Sequence, residues 1–406
     1  MKTIKVGSDF SGVGAFNQAL RRLGVEYHEI FACDMDKFAR ETFIHNYGEP
    51  DYYPTNVYQR EIPSESLDIY MTSPPCQAFS LAGKRLGKDD KRGVLFFNSH
   101  ELIQKNQPRF FIFENVKGLL SDDNGNTFNE WLNLLGGKSV NGVPVLFPHE
   151  ESVPYHLYWK VLNAKDYGVP QNRERVFLIG IRDDQDNHFR FPVEEHLTKR
   201  LKDVLEEDIQ DKYFLSELAI NRLTNNEQGY HSEIRTNESI ASTICASDYK
   251  IARGMNVLQV KSATSTGFEI ATEGDSISLA HPGSETRRGR VGHGVAQTVD
   301  TGSTQGVMIK ESNNKYRFHK NDKRKSGIQG MDIVKPSGIS DTVTTSHPGN
   351  TIDNFKIRRL TPRECFRLMD FPDTFTWTCS DSQAYKQAGN SIVVNVLYKL
   401  LKNLPL

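Results

Sequence analysis

At 406 residues, with 37% apolar and 25% charged side chains, the chain is long enough for a large core and a smaller second one. A formal net charge of -1 gives no global attraction to polyanions, so any nucleic-acid site must be local. No run of about 18 apolar residues occurs, and the start MKTIKVGSDF has no apolar signal core, so a cytoplasmic protein with no membrane partner is expected.

In chain order, TIKVGSDF predicts a buried strand, AFNQALRRLG a helix ended by Gly24, YHEIFACD a strand, and KFARETFIHNYG a helix ended by Gly48. SLDIYMTS and RFFIFENV read as further strands, with the amphipathic FNSHELIQKN between them. This alternation predicts an α/β fold, a parallel sheet covered by helices on both faces. YWKVLNAKDYGVP and RVFLIGIR read as two more strands joined by a turn at the sheet edge. Beyond about Asp183 helical periodicity fades, and Ser, Thr, Gly and Asn accumulate. There IASTICAS at Ile240, VAQTVDTG at Val295 and ISDTVTTS at Ile339 share a pattern expected of short strands followed by polar loops. In RRLTPRECFRLMDFP a helix returns: Thr361 can cap it, Pro362 suits its first position, Glu364 completes a capping box, and Pro372 stops it. The final GNSIVVNVLYKLLKNL is apolar enough to pack back on the first half. The expected organisation is a large domain of residues 1–183 plus 356–406, with residues 184–355 inserted as a smaller, loop-rich domain.

Several residues could carry chemistry. The five cysteines, Cys33, Cys76, Cys245, Cys365 and Cys379, form no CxxC pair, which supports neither a disulfide framework nor a metal site. Cys76 follows Pro74 and Pro75, which remove two backbone donors and stiffen the loop at a strand's carboxyl end. It is either inert core filling or a nucleophile, and its position favours the nucleophile. Gly12 and Gly14 sit at the first strand-to-helix turn, where only glycine lets a ligand approach the backbone closely. Asn17 stands where a dinucleotide fold needs a third glycine, and Asp34 ends the second strand, where a carboxylate can take ribose hydroxyls. Together they suggest a nucleoside-bearing cofactor without a pyrophosphate. Glu114, after apolar and aromatic neighbours, is either a cap or an acid whose pKa is raised by burial. Arg173 and Arg175 lie two apart, able to hold an anion or a polar ring, or simply to be surface charge. From Ser276 to Lys335 there are 11 Lys or Arg against 5 Asp or Glu, including RRGR at Arg287 to Arg290 and KNDKRK at Lys320 to Lys325.

Taken together and in order, DFSGVGAF, PPCQAFS, ENVKGL, QNRERVF, RRLTPRECFRLMDFP and QAGNSIVVNV resemble the motif set of the DNA cytosine-5 methyltransferases of bacterial or phage restriction-modification type. The resemblance leaves only roughly Asp183 to Phe355 uncovered. It implies a Rossmann-like S-adenosyl-L-methionine-dependent fold, with Phe10 on the adenine and Gly12, Val13 and Gly14 beside the methionine part. It also implies that Asp34 takes the ribose, with Met35 where the family usually has an aromatic residue and Asn56 where an aspartate is common. Pro75, Leu95, Asn390 and Ser391 would complete the cofactor pocket. Cys76 would be the thiolate that adds to a flipped cytosine, Glu114 the acid at ring nitrogen 3, and Arg175, with Arg173 in support, the brace on the base carbonyl and on the site's acidic group.

The inserted segment becomes a target-recognition domain for double-stranded DNA, with Arg287, Arg288, Arg290, Lys323, Arg324 and Lys325 as candidate contacts and the Thr-bearing repeats as scaffold strands. A separately acting restriction endonuclease is an implied partner, and a monomer is expected. Competing readings are the same chemistry on RNA, a relative that binds DNA without catalysis, and a Rossmann-type oxidoreductase with a reactive thiol. The missing third glycine and the linked ENV and QNRER motifs oppose the last.

Overall fold

The computed structural model describes residues 3–75, 94–185, 188–215, 258–265, 267–272, 274–281, 284, 286–299, 301, 305–310 and 355–406. The chain divides into two compact units, one of Met1–Glu207, Val295–Ser303 and Thr361–Leu406, the other of Asp208–Gly294 and Thr304–Leu360. Residues 184–207 and Val295–Ser303 therefore belong with the first unit, whereas composition alone drew the line at 184.

The first unit is built on an eight-stranded sheet. Its strands are β1 (Ile4–Asp9), β2 (Tyr27–Cys33), β3 (Ile69–Thr72), β4 (Phe110–Val116), β5 (Ser139–Val140), β6 (Val143–Pro144), β7 (Tyr155–Asn163) and β8 (Glu174–Arg182). They lie in the order β2-β1-β3-β4-β8-β7-β5-β6, and the first four run parallel. The central strands are apolar without alternation because both of their faces are covered. In β4, Phe111 and Phe113 join a cluster with Phe96 and Trp131, which stack at 4.3 Å; Phe110 and Ile112, pointing the other way, are equally buried.

Two expectations change. β8 is antiparallel to both β4 and β7, so the sheet is mixed, and β5 and β6 lie outside β7, so the β7–β8 pair is not at the edge. The link from Asn163 to Glu174 is too short for a parallel crossover, which forces the antiparallel hairpin. Gly180 makes β8 a good neighbour for β4, because any Cβ there would overlap the Phe111 ring.

The helices are α1 (Ala15–Leu23), α2 (Lys37–Tyr47), α3 (Val94–Asn106), α4 (Asn126–Leu135), α5 (Pro362–Leu368), α6 (Asp381–Asn390) and α7 (Val394–Lys402). Gly24 closes α1 in the left-handed region, with its N–H on Arg21 O and Leu20 O. Both halves of the Thr361–Glu364 capping box form at the start of α5. The carboxyl-terminal α7 packs against α1, returning the end of the chain to its beginning. Among the described residues no helix is long and apolar enough to cross a membrane.

The second unit holds β9 (Leu258–Lys261), β10 (Phe268–Ala271), β11 (Ser276–Ser278), β12 (Val291–Gly292), β13 (Gln305–Lys310) and β14 (Phe355–Arg359). These form an antiparallel pair, β10-β9, and an antiparallel sheet, β12-β11-β13-β14. Of the three Thr-bearing repeats, only VAQTVDTG falls largely on described residues, and it is an isolated bridge to Gln171 within the first unit, not a strand. The repeats at Ile240 and Ile339 lie outside the described residues.

On β2, burial pushes the Glu29 carboxyl up to about 8, although Asn17 Nδ2 and Ser8 Oγ donate to it. The folded state thus holds a proton that the unfolded chain releases near its ordinary carboxyl pKa. Stability contributed by that proton is present at low pH and is lost as pH rises toward 8. Glu29→Gln should melt like the parent at pH 4 and be more stable by roughly 1–3 kcal/mol at pH 8.5, as read from denaturant unfolding at the two pH values.

Candidate active site

The turn after β1 is held in unusual backbone geometry. Phe10, Gly12 and Gly14 have φ of 57°, 54° and 85°. For Phe10 the left-handed region is strained and needs support from its neighbours. Ser11 N–H on Cys33 O at 3.0 Å supplies part of it. Gly14 is required twice over, because a Cβ there would also overlap the Tyr47 ring. At Gly12 the same atom would meet nothing within 4 Å among the described residues, which leaves the backbone there approachable by a ligand. Val13 is buried beneath the turn.

Asp34 closes this turn from below. Its Oδ2 accepts from Gly12 N–H and its Oδ1 from Asp36 N–H, each at 2.8 Å. A carboxylate has about four acceptor positions, so capacity remains for ribose hydroxyls. Burial pushes the Asp34 carboxyl up, and the two N–H groups oppose that. Met35 next to it is 86% exposed, a free apolar surface at the rim. Asn56 caps the turn Val57–Gln59, and its Oδ1 already accepts from Tyr58 N–H at 3.0 Å. Leu95 is half-buried against the aromatic cluster. Asn390 is exposed at the end of α6, and Ser391 after it is buried.

The second group of residues gathers at the end of β4. Glu114 is buried and receives Arg175 Nε at 3.0 Å. Burial pushes its carboxyl up, with Arg175 and then Arg173 pulling it back. Asn115 donates from Nδ2 to Pro74 O at 3.1 Å, which ties the start of the proline loop to β4. Pro75 is exposed; Cys76 lies outside the described residues, one position further on.

Arg173 lies close enough to Glu114 for its charge to pull that carboxyl down. Its guanidinium is buried and spent on backbone carbonyls, Val299 O at 3.1 Å, Gly389 O at 3.0 Å and Ser391 O at 2.8 Å. Burial, with Arg175 second, pushes it down to about 9. Sequence reading missed Gln171, which is wholly buried, donates to Leu368 O at 2.7 Å and accepts from Val299 N–H at 3.1 Å. Gln171 and Arg173 thus hold both backbone polar groups of Val299. The only signal was their spacing of two in QNRER, which places both side chains on one side of an extended backbone.

In the second unit the basic candidates separate. Arg288 is exposed, with Nε on Ala263 O at 2.9 Å, and Arg287 is half-buried, with Nη2 on Ser278 Oγ at 3.0 Å. Arg290, expected as a DNA contact, is instead buried, its guanidinium on Ala280 O at 3.1 Å and His281 O at 2.7 Å. Lys323, Arg324 and Lys325 lie outside the described residues. Among the described residues no group of three or more His, Cys, Asp or Glu side chains could hold a metal ion.

Comparison with known proteins gives a consistent result. The family model for C-5 cytosine-specific DNA methylases matches residues 4–405. The orphan methyltransferase M.SPRI of Bacillus phage SPR is 32% identical, covering 100% of this chain and 98% of its own. The type II methyltransferase M.HhaI of Haemophilus parahaemolyticus is 31% identical, covering 97% of this chain and 92% of its own. Among solved structures, a triple mutant of Spodoptera frugiperda DNMT2 superposes with a TM-score of 0.58 at 19% identity, over 99% of both chains. This last likeness concerns the fold alone.

The Gln171 contact has a direct consequence for local stability. Gln171→Leu keeps the volume but removes the acceptor for Val299 N–H, so exchange of that amide should accelerate by about tenfold or more, the worth of one buried hydrogen bond. Hydrogen exchange read at residue level checks it, with the β4 amides expected to stay unchanged.

Proposed function

The chain belongs to the C-5 cytosine-specific DNA methylase family, and on that premise we propose that it methylates carbon 5 of a flipped cytosine in double-stranded DNA through a covalent Cys76 adduct. The observation that carries the chemical reading is the Asn115 bond to Pro74 O at 3.1 Å. It ties the residue two before Cys76 to the residue after Glu114, so a thiolate and a buried acid can serve one ring.

The residues of the glycine turn suit S-adenosylmethionine: an approachable backbone at Gly12, spare acceptor capacity on Asp34, and the exposed side chain of Met35. When bound, that cofactor supplies an electrophilic methyl group. Carbon 5 of cytosine is a poor nucleophile until the ring's aromaticity is broken. Addition of the Cys76 thiolate to carbon 6 forms a carbon–sulfur bond and moves the ring electrons toward carbon 5. Glu114, whose carboxyl burial pushes up, serves as the acid at ring nitrogen 3 as negative charge develops there. Arg175 keeps Glu114 oriented and faces the base carbonyl. After transfer, a base removes the proton from carbon 5, the carbon–sulfur bond breaks, Cys76 leaves as thiolate, and ring nitrogen 3 returns its proton to Glu114. Arg173, spent on three carbonyls, acts by holding the neighbouring segments and does not touch the base. None of these atoms is reachable in stacked duplex, so the base must be flipped out.

Target recognition is assigned to the inserted segment, with the exposed Arg288 as its best-placed described cation. A cognate restriction endonuclease would act separately, on unmodified copies of the same site.

Expression in a methylation-free bacterial host, followed by base-resolution sequencing of 5-methylcytosine, should reveal one short motif, modified by the parent and untouched by Cys76→Ser. Unmodified DNA from soluble protein that still binds S-adenosylmethionine would overturn the DNA reading and direct the search to RNA. Glu114→Gln should lower kcat by about 100-fold or more while leaving cofactor affinity within twofold, as separated by single-turnover kinetics and calorimetry.

A further inference from the structure

Beneath the glycine turn lies an ionic cluster that no catalytic step uses. Asp9 is the last residue of β1 and immediately precedes Phe10. Its Oδ1 accepts from Arg60 Nε at 3.1 Å and its Oδ2 from Tyr70 O–H at 2.6 Å. The Arg60 and Asp9 side chains are 2% and 0% exposed. Arg60 Nη2 reaches on to Asn98 O at 3.2 Å in α3, while its Nη1 has no partner among the described residues.

A buried ion pair with a donor left over is a poor device for stability, because desolvation of both charges offsets most of their attraction. Such a pair is better explained by what it fixes. Asp9 is bonded to the strained Phe10; Arg60 ends the turn that Asn56 caps; Asn98 lies one helical turn after Leu95. Phe10, Asn56 and Leu95 sit on three separate elements: Arg60 ends the turn of Asn56, and its guanidinium binds the residue before Phe10 and, one helical turn after Leu95, the Asn98 carbonyl.

We propose that Arg60, through Asp9 and Asn98, is a positioning residue for the cofactor, setting the mutual spacing of the adenine-side segments that carry Phe10, Asn56 and Leu95. The inference rests on the cofactor assignment made above. It concerns binding of the cofactor and not the reaction at the base.

The test is calorimetric titration of the full chain with S-adenosylmethionine and S-adenosylhomocysteine, alongside thermal melting. Arg60→Met, which keeps the length and deletes the charge, should weaken both ligands about tenfold or more. Arg60→Lys, which can still reach Asp9 but offers no fork to Asn98, should fall between parent and Met. Tyr70→Phe removes one bond to Asp9 and leaves the ion pair; it should weaken both ligands about threefold. Folded Arg60→Met that binds as the parent does, with only its melting point lowered, makes the cluster a purely structural one and overturns the proposal. Should Arg60→Met fail to fold, parent-like affinity in both Arg60→Lys and Tyr70→Phe overturns it equally. Failure of the parent itself to bind either ligand would instead remove the cofactor assignment.

Discussion

The antiparallel pairing of β4 with β8 is the constraint on which the candidate active site depends. In that register Glu114 faces Phe177 and Val116 faces Arg175. Residues directly opposite share a face, as do residues two apart along a strand, so Glu114 and Arg175 are diagonal neighbours on one side of the sheet. A long arginine spans such a diagonal, and the 3.0 Å contact shows that it does. A slip of one residue would send Arg175 to the other face and leave a buried carboxylate alone. The slip is opposed by packing at the other end of the same two strands, where Phe111 fits only over a glycine at position 180.

From this fixed pair the rest is attached by side chains that bind backbone. Asn115 takes hold of Pro74, Gln171 of Leu368 and Val299, and Arg173 of Val299, Gly389 and Ser391. These contacts join segments separated by up to 218 positions. Backbone carbonyls are present whatever the side chain, so such joints specify where a segment runs without dictating its sequence. Arg173 illustrates the consequence. It was expected to support Arg175 and the acidic group, and besides lowering the Glu114 carboxyl it binds carbonyls on segments brought in from elsewhere in the chain.

Much of the fold was legible because its signals are local. Gly24, the Thr361–Glu364 box and the apolar runs of β1, β3 and β4 each act within a few residues, and each forms as the pattern predicts. The direction of β8 was not legible from periodicity, since an apolar run reads the same in either sense. Link length carried that information. The glycine turn with Asp34 could be anticipated from spacing, whereas the Asp9–Arg60–Tyr70 cluster could not, because its members lie on three elements and share no motif. VAQTVDTG shows the reverse error: a strand-like pattern was read as a scaffold strand, but its polar backbone groups are met by Gln171 and Arg173 and by the backbone of Pro170 and Asn172.

Charge runs mix surface and internal cations for a related reason. In RRGR, Arg288 is exposed while Arg290, two positions on, is completely buried and bound to carbonyls. Arginine can be buried because its five donors satisfy several carbonyls at once, and its long apolar stem packs well on the way. Counting cations in a window therefore overstates the positive surface wherever arginine serves as an internal strut. In this chain Arg60, Arg173 and Arg290 are all such struts, each buried and each bound to at least one backbone carbonyl. A near-neutral composition with 50 Lys and Arg thus leaves fewer positive groups facing outward than the formula implies. Attraction to a polyanion has to come from where the remaining cations stand, not from how many there are.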